Sequence, residues 1–531
     1  MRRRAGQPAM DPLTMGLGEL LDAKAAERPR EPFLSFGDGS TLTYADSSER
    51  VARMRGLLQA HAIAPGDRVA LMLKNSLFYP IAWLGIVSAG AVAVPVNSRL
   101  GRDDAGYVIS HSGSRLVICD SATAPVARLA AGKIPAVEVG AGEHYPAVLA
   151  RSAPAPRMPT TGRTLANVQY TSGTTGFPKG CMLSHAYWQR MGQVAAAFLG
   201  LRAGDRILTA QPFSYVDPLW NVAGALHAGA HLVALDGFHP STFMQAVAER
   251  EVNVFYCVGA MPTLLLKQPE SSWGGARSLR RVGCSAIPPN LHRTIEKRWG
   301  VPWFELFGMT ETGLNIGVSA EDHEELVGTG SIGTAFPHCE VAVVDAAGND
   351  VPPGEIGELR LRCPGLMDGY LNDPEATARF FRDGWANTGD LVTMDQRGRV
   401  YFRGRHKEFF RRGGENVSQL EVEFALRGHE DVVDCAVGTV PDDVLGEEGK
   451  AYVVLADGRT PDPERLRAFL ASRIASFKVP RYWEFRGDLP RTPSERIAKH
   501  RLEPAGRSWR DETFDAREGR WLDGTEDSQP T

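Results

Sequence analysis

Cysteine is scarce in this chain: seven residues in 531, at positions 119, 181, 257, 284, 339, 363 and 435. None forms a CxxC pair and most lie among apolar, strand-like neighbours, which argues against a disulfide framework or a zinc site and predicts reduced core thiols. No apolar run reaches the ~18 residues a membrane-spanning helix needs. A large excess of either sign of charge is missing too. The formal net charge is -4, so no global basic field argues for a nucleic-acid partner. The N-terminus, "MRRRAGQPAMDP", has three arginines like the start of a signal peptide, but no apolar segment follows them. A soluble, cytoplasmic protein with a loose first dozen residues is expected, with Met10 and Met15 as alternative starts. Internal repeats and low-complexity tracts are also lacking.

What is present is a large globular composition, 43% hydrophobic, with room for two to four domains. Short β-branched runs alternate with Ala/Leu-rich segments up to about residue 310. "RVALML" (68–73), "AVAVPV" (91–96), "RLVICD" (115–120), "ILTAQPF" (207–213), "HLVALDG" (231–237) and "VNVFYCVG" (252–259) read as buried strands of βαβ units. After Gly328 the texture changes to short alternating strands with Asp/Gly turns. A last unit includes a helix with Asp462 as N-cap and Pro463 at its first position, whose apolar face is Leu466, Phe469, Leu470 and Ile474. The expected fold class is α/β: a large N-terminal domain of mostly parallel sheets flanked by helices plus a small antiparallel subdomain, and a small mobile α+β C-terminal domain. The expected boundaries are 1–404 (antiparallel part 328–404), 405–510 as a lid, and 511–531 as a flexible tail. The stretch after Leu502, rich in Arg, Asp, Glu and Gly, already reads as frayed.

The stretch "YTSGTTGFPKGCMLSH" (170–185) concentrates glycines and hydroxyl residues around one lysine. It fails the G-x-x-x-x-G-K-[ST] pattern, because Gly173 and Gly176 are too close and Lys179 precedes Gly180. Its chemistry still suits phosphate. Successive backbone N–H groups in a Gly-rich loop form an anion nest, hydroxyls of Ser172, Thr174 and Thr175 add donors, and Lys179 adds a mobile charge. Taken alone, such a stretch reads equally well as a flexible surface loop.

The stretch does not stand alone. "YTSGTTGFPKG" closely resembles the signature loop of the adenylate-forming superfamily of acyl-CoA synthetases, aryl-CoA ligases, peptide adenylation domains and luciferase. Further blocks follow in that family's order: "FGMTETG" (307–313), "GELRLRCPGLMDGY" (357–370), "WANTGD" (385–390), "YFRGRHKEFFRRGGENVSQLEVE" (401–423) and "LPRTPSERIAKHRL" (489–502). The resemblance runs from "TLTYAD" (41–46) nearly to the end of the chain. It implies an acid–thiol ligase that attacks the α-phosphorus of ATP with a carboxylate, giving acyl-AMP and pyrophosphate. Coenzyme A, or alternatively a carrier-protein thiol, an amine or nitrite, then displaces AMP. No covalent enzyme intermediate is needed, so positioning and charge neutralisation carry the catalysis.

By this resemblance Thr171, Ser172, Gly173, Thr174, Thr175, Gly176 and Lys179 hold the β- and γ-phosphates, Thr310 meets the α-phosphate, and Glu311 holds Mg²⁺. Asp390 accepts from the ribose hydroxyls and Arg405 donates to ribose or phosphate. Adenine lies on "GCSAIP" (283–288), beginning at Gly283, and against Phe307. Lys407 is the hinge about which the C-terminal domain turns between half-reactions, bringing "RRGGENV" (411–417) to the thiol tunnel. Plainer readings exist beside these: a helix N-cap and first-turn acid for Thr310 and Glu311, a turn aspartate for Asp390, and a solvated basic pair for Arg411 and Arg412.

Two departures stand out. Where the family reads "TPSGK", this chain reads Thr492-Pro493-Ser494-Glu495-Arg496. Arg496 therefore takes the adenylation lysine's role, or Lys499 supplies it one turn later; the first is favoured, and slow adenylation or a catalytically impaired adenylate-binding homologue is the other outcome. In the acid pocket, "QPFSYVDPLWNVAGAL" (211–226) puts Tyr215 where a histidine is usual. Asp217 and Trp220 nearby suit an amino-bearing or betaine-like acid through a carboxylate and a cation–π face, and "RRGGENVS" is similar to carnitine-CoA ligase-like members. The plain alternative is a turn aspartate before Pro218.

Overall fold

The computed structural model describes residues 15–140, 144–171, 178–273, 275–405, 408–412, 415–442, 446–491, 497–503 and 507–522. The signature loop's Ser172, Gly173, Thr174, Thr175 and Gly176, the hinge Lys407 and the departing Arg496 lie outside the described residues.

Two sheets form the N-terminal part. In the first, strands Arg68–Met72, Val92–Pro95, Ser114–Asp120 and Ala136–Val139 run parallel. Leu165–Thr171 joins them in parallel, and Lys179–Ser184 then turns back antiparallel. The two-residue strand Gly369–Tyr370 closes this edge against Cys181 and Met182. The helix Phe78–Ser88 is buried along its whole length, as a helix apolar all round must be. Its Trp83 indole N–H donates to Asn167 Oδ1 at 2.9 Å, so the buried polar atom has a partner.

The second sheet begins as the βαβ pattern predicts. Arg206–Thr209, His231–Ala234, Val254–Val258, Arg281–Ser285 and Trp303–Met309 are all parallel. The antiparallel strands beyond residue 328, expected as a small subdomain, do not form a sheet of their own. They continue the same hydrogen-bonded sheet through Gly313–Gly317 and Ser331–Ala335 to Val400–Arg405, Trp385–Met394, Gly357–Arg362 and Glu340–Val344. At the turn in direction Gly333 has φ +95°, and a Cβ there would come within 2.0 Å of the Gly317 carbonyl. Only glycine permits that approach.

The C-terminal part packs Gln419–Arg427 and Pro463–Ala471 on a sheet centred on Gly446–Leu455. Asp462 caps its helix as expected, accepting from the Arg465 N–H at 3.0 Å. The frayed-tail expectation fails for residues 507–522. Thr513–Asp515 pairs with Tyr482–Phe485 and is buried, and Arg520–Trp521 pairs with it in turn. The charges that suggested a tail are partnered: Arg481 with Asp515 at 2.6 Å and Arg507 with Glu484 at 3.1 Å.

Candidate active site

Lys179 opens its strand directly across from Thr171, so the signature loop is the connection of an antiparallel hairpin. The Lys179 ammonium sits 5.0 Å from the centroid of the Tyr370 ring. The Tyr370 hydroxyl donates to Glu311 Oε1 at 3.0 Å. A residue given no role in the sequence reading thus ties the loop lysine to the motif acid. Burial, then the Glu311 carboxylate, pushes the Tyr370 phenol well above its ordinary range, so it stays a donor.

Thr310 and Glu311 lie in the tight turn between Trp303–Met309 and Gly313–Gly317. The helix-cap alternative is therefore wrong. Glycine is required on both sides of the turn: a Cβ on Gly308 would meet the Gly313 carbonyl at 2.5 Å, and Gly313 itself has φ +69°. The Met367 N–H donates to the Glu311 carbonyl at 2.9 Å, so the segment after Gly357–Arg362 fixes the acid's backbone.

Asp390 is fully buried within a strand rather than in an open turn. It pairs in register with Arg405, whose Nε donates to Oδ1 at 2.7 Å. The Asp390 carboxylate raises the Arg405 pKa, with Glu311 contributing at longer range. Asp390, Arg405 and Glu311 therefore share one electrostatic neighbourhood. Phe307 is half-buried, 6.3 Å between ring centroids from Phe402.

The segment 283–288, where adenine was expected, has a support that sequence reading missed. The Glu305 carboxylate accepts from the N–H of Ala286 at 2.6 Å and of Ile287 at 2.8 Å, while Ser285 Oγ donates to the Leu306 carbonyl at 2.7 Å. These bonds hold Ala286 at φ +73°, a conformation costly for a residue with a Cβ. A lone acid in the apolar run "WFELFGM" was the available signal. Burial pushes the Glu305 carboxyl up to about 8 against the pull of the two N–H donors. A carboxyl whose pKa is higher folded than unfolded contributes stability fully present below the unfolded value and lost as pH rises through the folded one. Wild-type stability is accordingly expected to decline between about pH 5 and about pH 9, and Glu305→Gln to flatten that decline. Urea unfolding of both proteins across this range is the check; parallel curves would remove Glu305 as the source.

Four expected pocket residues have other work. Gly283 faces the C-terminal end of the helix His185–Phe198, where a Cβ would meet Leu199 at 2.7 Å and Phe198 at 3.6 Å; it is a packing glycine. Trp220 is 1% exposed, meets Tyr256 edge-on at 4.9 Å and donates its indole N–H to Asp217 Oδ1 at 3.2 Å. No open face remains for a cationic ligand, and Asp217 is a first-turn acid of the helix Val216–Ala228. Tyr215 precedes that helix, its hydroxyl accepting from Asn97 Nδ2 at 2.6 Å.

In the C-terminal part, Lys499 pairs with buried Glu423 at 2.7 Å and donates to Gln419 Oε1 at 2.8 Å. Both contacts of its ammonium are therefore with the helix Gln419–Arg427. Arg412 is not a solvated charge, because it bonds the Phe477 carbonyl at 2.7 Å and Glu448 at 2.8 Å.

Residues 21–371 match the family model of the AMP-binding enzymes, and residues 421–496 match the C-terminal domain of those enzymes. The chain belongs to the AMP-binding enzyme family. Relatives of this AMP-binding enzyme include a feruloyl-CoA synthase of Amycolatopsis sp, 35% identical over 91% of this chain and 98% of the relative. A fatty acid–[acyl-carrier-protein] ligase of Streptomyces coeruleorubidus is 33% identical over 88% and 92%. A crotonobetaine/carnitine–CoA ligase of Salmonella arizonae is 31% identical over 88% and 94%. Among solved structures, an anthranilate CoA ligase in complex with anthranoyl-AMP superposes with a TM-score of 0.85 at 25% identity, covering 93% of this chain and 97% of that one. These likenesses place the AMP-binding enzyme in the CoA-ligase branch of the superfamily its motifs resemble.

Proposed function

We propose that this enzyme activates a carboxylic acid with ATP to acyl-AMP and pyrophosphate, and then passes the acyl group to the thiol of coenzyme A. The observation that carries this reading is the Lys179–Tyr370–Glu311 contact, which joins the phosphate loop to the motif acid, beside the Asp390–Arg405 pair. Lys179 would neutralise the outer phosphates and Asp390 would accept from the ribose. One buried carboxylate suits Mg²⁺, which is bound through one or two carboxylates plus substrate phosphates. Glu311 would hold it, and the ion would supply charge neutralisation at the phosphates.

Incubating the enzyme with ATP, coenzyme A and a panel of aromatic, short and zwitterionic acids tests the reading. Acyl-CoA formation and coenzyme A-dependent AMP release are expected with at least one acid. If coenzyme A neither speeds AMP release nor becomes acylated, the acceptor is wrong. Acylation of a carrier protein would then support the second reading, which the Streptomyces coeruleorubidus relative favours.

Because Lys499 is held by Glu423 and Gln419, Arg496 is our candidate for the cation that steers the attacking carboxylate. Arg496→Ala is expected to lower acid-dependent pyrophosphate–ATP exchange by about 10–100-fold, and Lys499→Ala by less than about 3-fold. The reverse order would give the role to Lys499.

A further inference from the structure

Two of the seven cysteines are not core thiols. Strands Glu340–Val344 and Gly357–Arg362 form an antiparallel ladder whose outermost pair is Glu340 with Arg362. One step further out on each side stand Cys339 and Cys363. Opposed residues on antiparallel strands have Cα atoms about 4.5–5.5 Å apart, inside the roughly 4.4–6.8 Å range that a disulfide spans. The side chains converge accordingly. Asn315 Nδ2 lies 3.3 Å from Cys363 Sγ and 4.0 Å from Cys339 Sγ, and the Arg190 guanidinium donates to Cys339 Sγ. Both thiols are free and half-buried, whereas the other five cysteines are buried. The Cys363 thiol, then Arg190, lowers the Cys339 pKa below the ordinary thiol range, which favours the reactive thiolate.

The surroundings link this pair to the site. Asn315 also donates to the Thr312 carbonyl at 3.1 Å, within the turn that carries Glu311. Four residues beyond Cys363, the Met367 N–H holds the Glu311 carbonyl. Gly365 packs on the Arg190 side chain, where a Cβ would lie 3.2 Å from its Cδ.

We propose that Cys339 and Cys363 form a peroxide-sensitive thiol pair that closes to a cross-strand disulfide and disturbs the Glu311 turn. The Cys339 thiolate attacks one oxygen of a hydroperoxide and the O–O bond breaks. This leaves Cys339 as a sulfenic acid and releases the other oxygen as hydroxide or alkoxide, which takes up a proton. The Cys363 thiol then attacks the Cys339 sulfur, its proton leaving with the displaced hydroxyl as water. The two sulfurs together lose two electrons, and the peroxide gains them. A dithiol reductant restores both thiols.

The effect on adenylation rests on the function proposed above; formation of the bond does not. Hydrogen peroxide treatment followed by non-reducing digestion and mass spectrometry is expected to give one peptide linking residues 339 and 363, lost on adding dithiothreitol. Cys363→Ser is expected to stop at a Cys339 sulfenic acid that dimedone labels. This second readout needs no bond at position 363 and is taken on protein whose circular dichroism matches wild type. Failure to find the linked peptide in wild type, or dimedone labelling elsewhere than Cys339, would overturn the pair. Pyrophosphate–ATP exchange is expected to fall at least about 5-fold on oxidation of wild type and to return on reduction. A disulfide that forms without changing exchange would overturn its link to Glu311. Absence of exchange with any acid in reduced enzyme would count against the proposed function alone, since the mass readout stands apart from it.

Discussion

Replacing Glu311 by Gln is expected to lower acid-dependent pyrophosphate–ATP exchange by at least about 100-fold while leaving the fold intact. The substitution keeps an oxygen to accept the Tyr370 hydroxyl at this position and removes only the charge. Glu311 is 8% exposed, so bulk water offers little compensation for the lost carboxylate. Tyr370→Phe is the informative companion. It removes the hydroxyl but keeps the ring beneath Lys179, and a smaller loss, about 10-fold, is expected from a less firmly aimed carboxylate. The two effects are read from exchange rates at saturating ATP, with ATP affinity measured separately by calorimetry. Exchange within about 3-fold of wild type for Glu311→Gln would remove the carboxylate from phosphate chemistry.

The second large effect concerns stability. Lys450 is fully buried and pairs with fully buried Glu484 at 2.8 Å and with Glu503 at 2.8 Å. Lys450→Met would leave buried carboxylate charge with one cation fewer, and breaking a buried pair in this way costs about 3–5 kcal/mol. The cost is expected towards the lower end, because Arg486 and Arg507 also reach Glu484. Urea unfolding should show an earlier transition for the C-terminal part, and adding Glu484→Gln should recover part of the loss. A midpoint unchanged by Lys450→Met would mean that the other cations alone satisfy the acid.

The motifs of the proposed nucleotide site were legible because each is a short contiguous string whose chemistry is local. Thr310 and Glu311, Asp390 and Arg405 each announce themselves within a few residues. What stayed hidden depends on strand register and facing. Tyr370 meets Lys179 only because a two-residue strand pairs with residues far upstream. Cys339 and Cys363 become neighbours only once the ladder sets Glu340 opposite Arg362. Gly283 looked like a pocket residue but faces Leu199 and Phe198, since successive strand residues point to opposite faces. Asp217 and Trp220 looked like a cation site because sequence cannot show that a residue three positions on satisfies the carboxylate itself. Residues 507–522 read as a tail because composition counts charges without showing that Arg481 and Arg507 pair in the folded domain.

The short Gly369–Tyr370 strand also sets a timetable. Lys179 leaves the ribosome about 190 residues before the tyrosine that ties it to Glu311, on the order of 10–40 s at typical synthesis rates. Until then the first sheet lacks its edge partner at Cys181 and Met182. A nascent chain therefore carries an open edge and an unmade Lys179–Tyr370–Glu311 contact together, and the same two residues cure both. The order of synthesis withholds from the unfinished polypeptide the contact on which the proposed function rests.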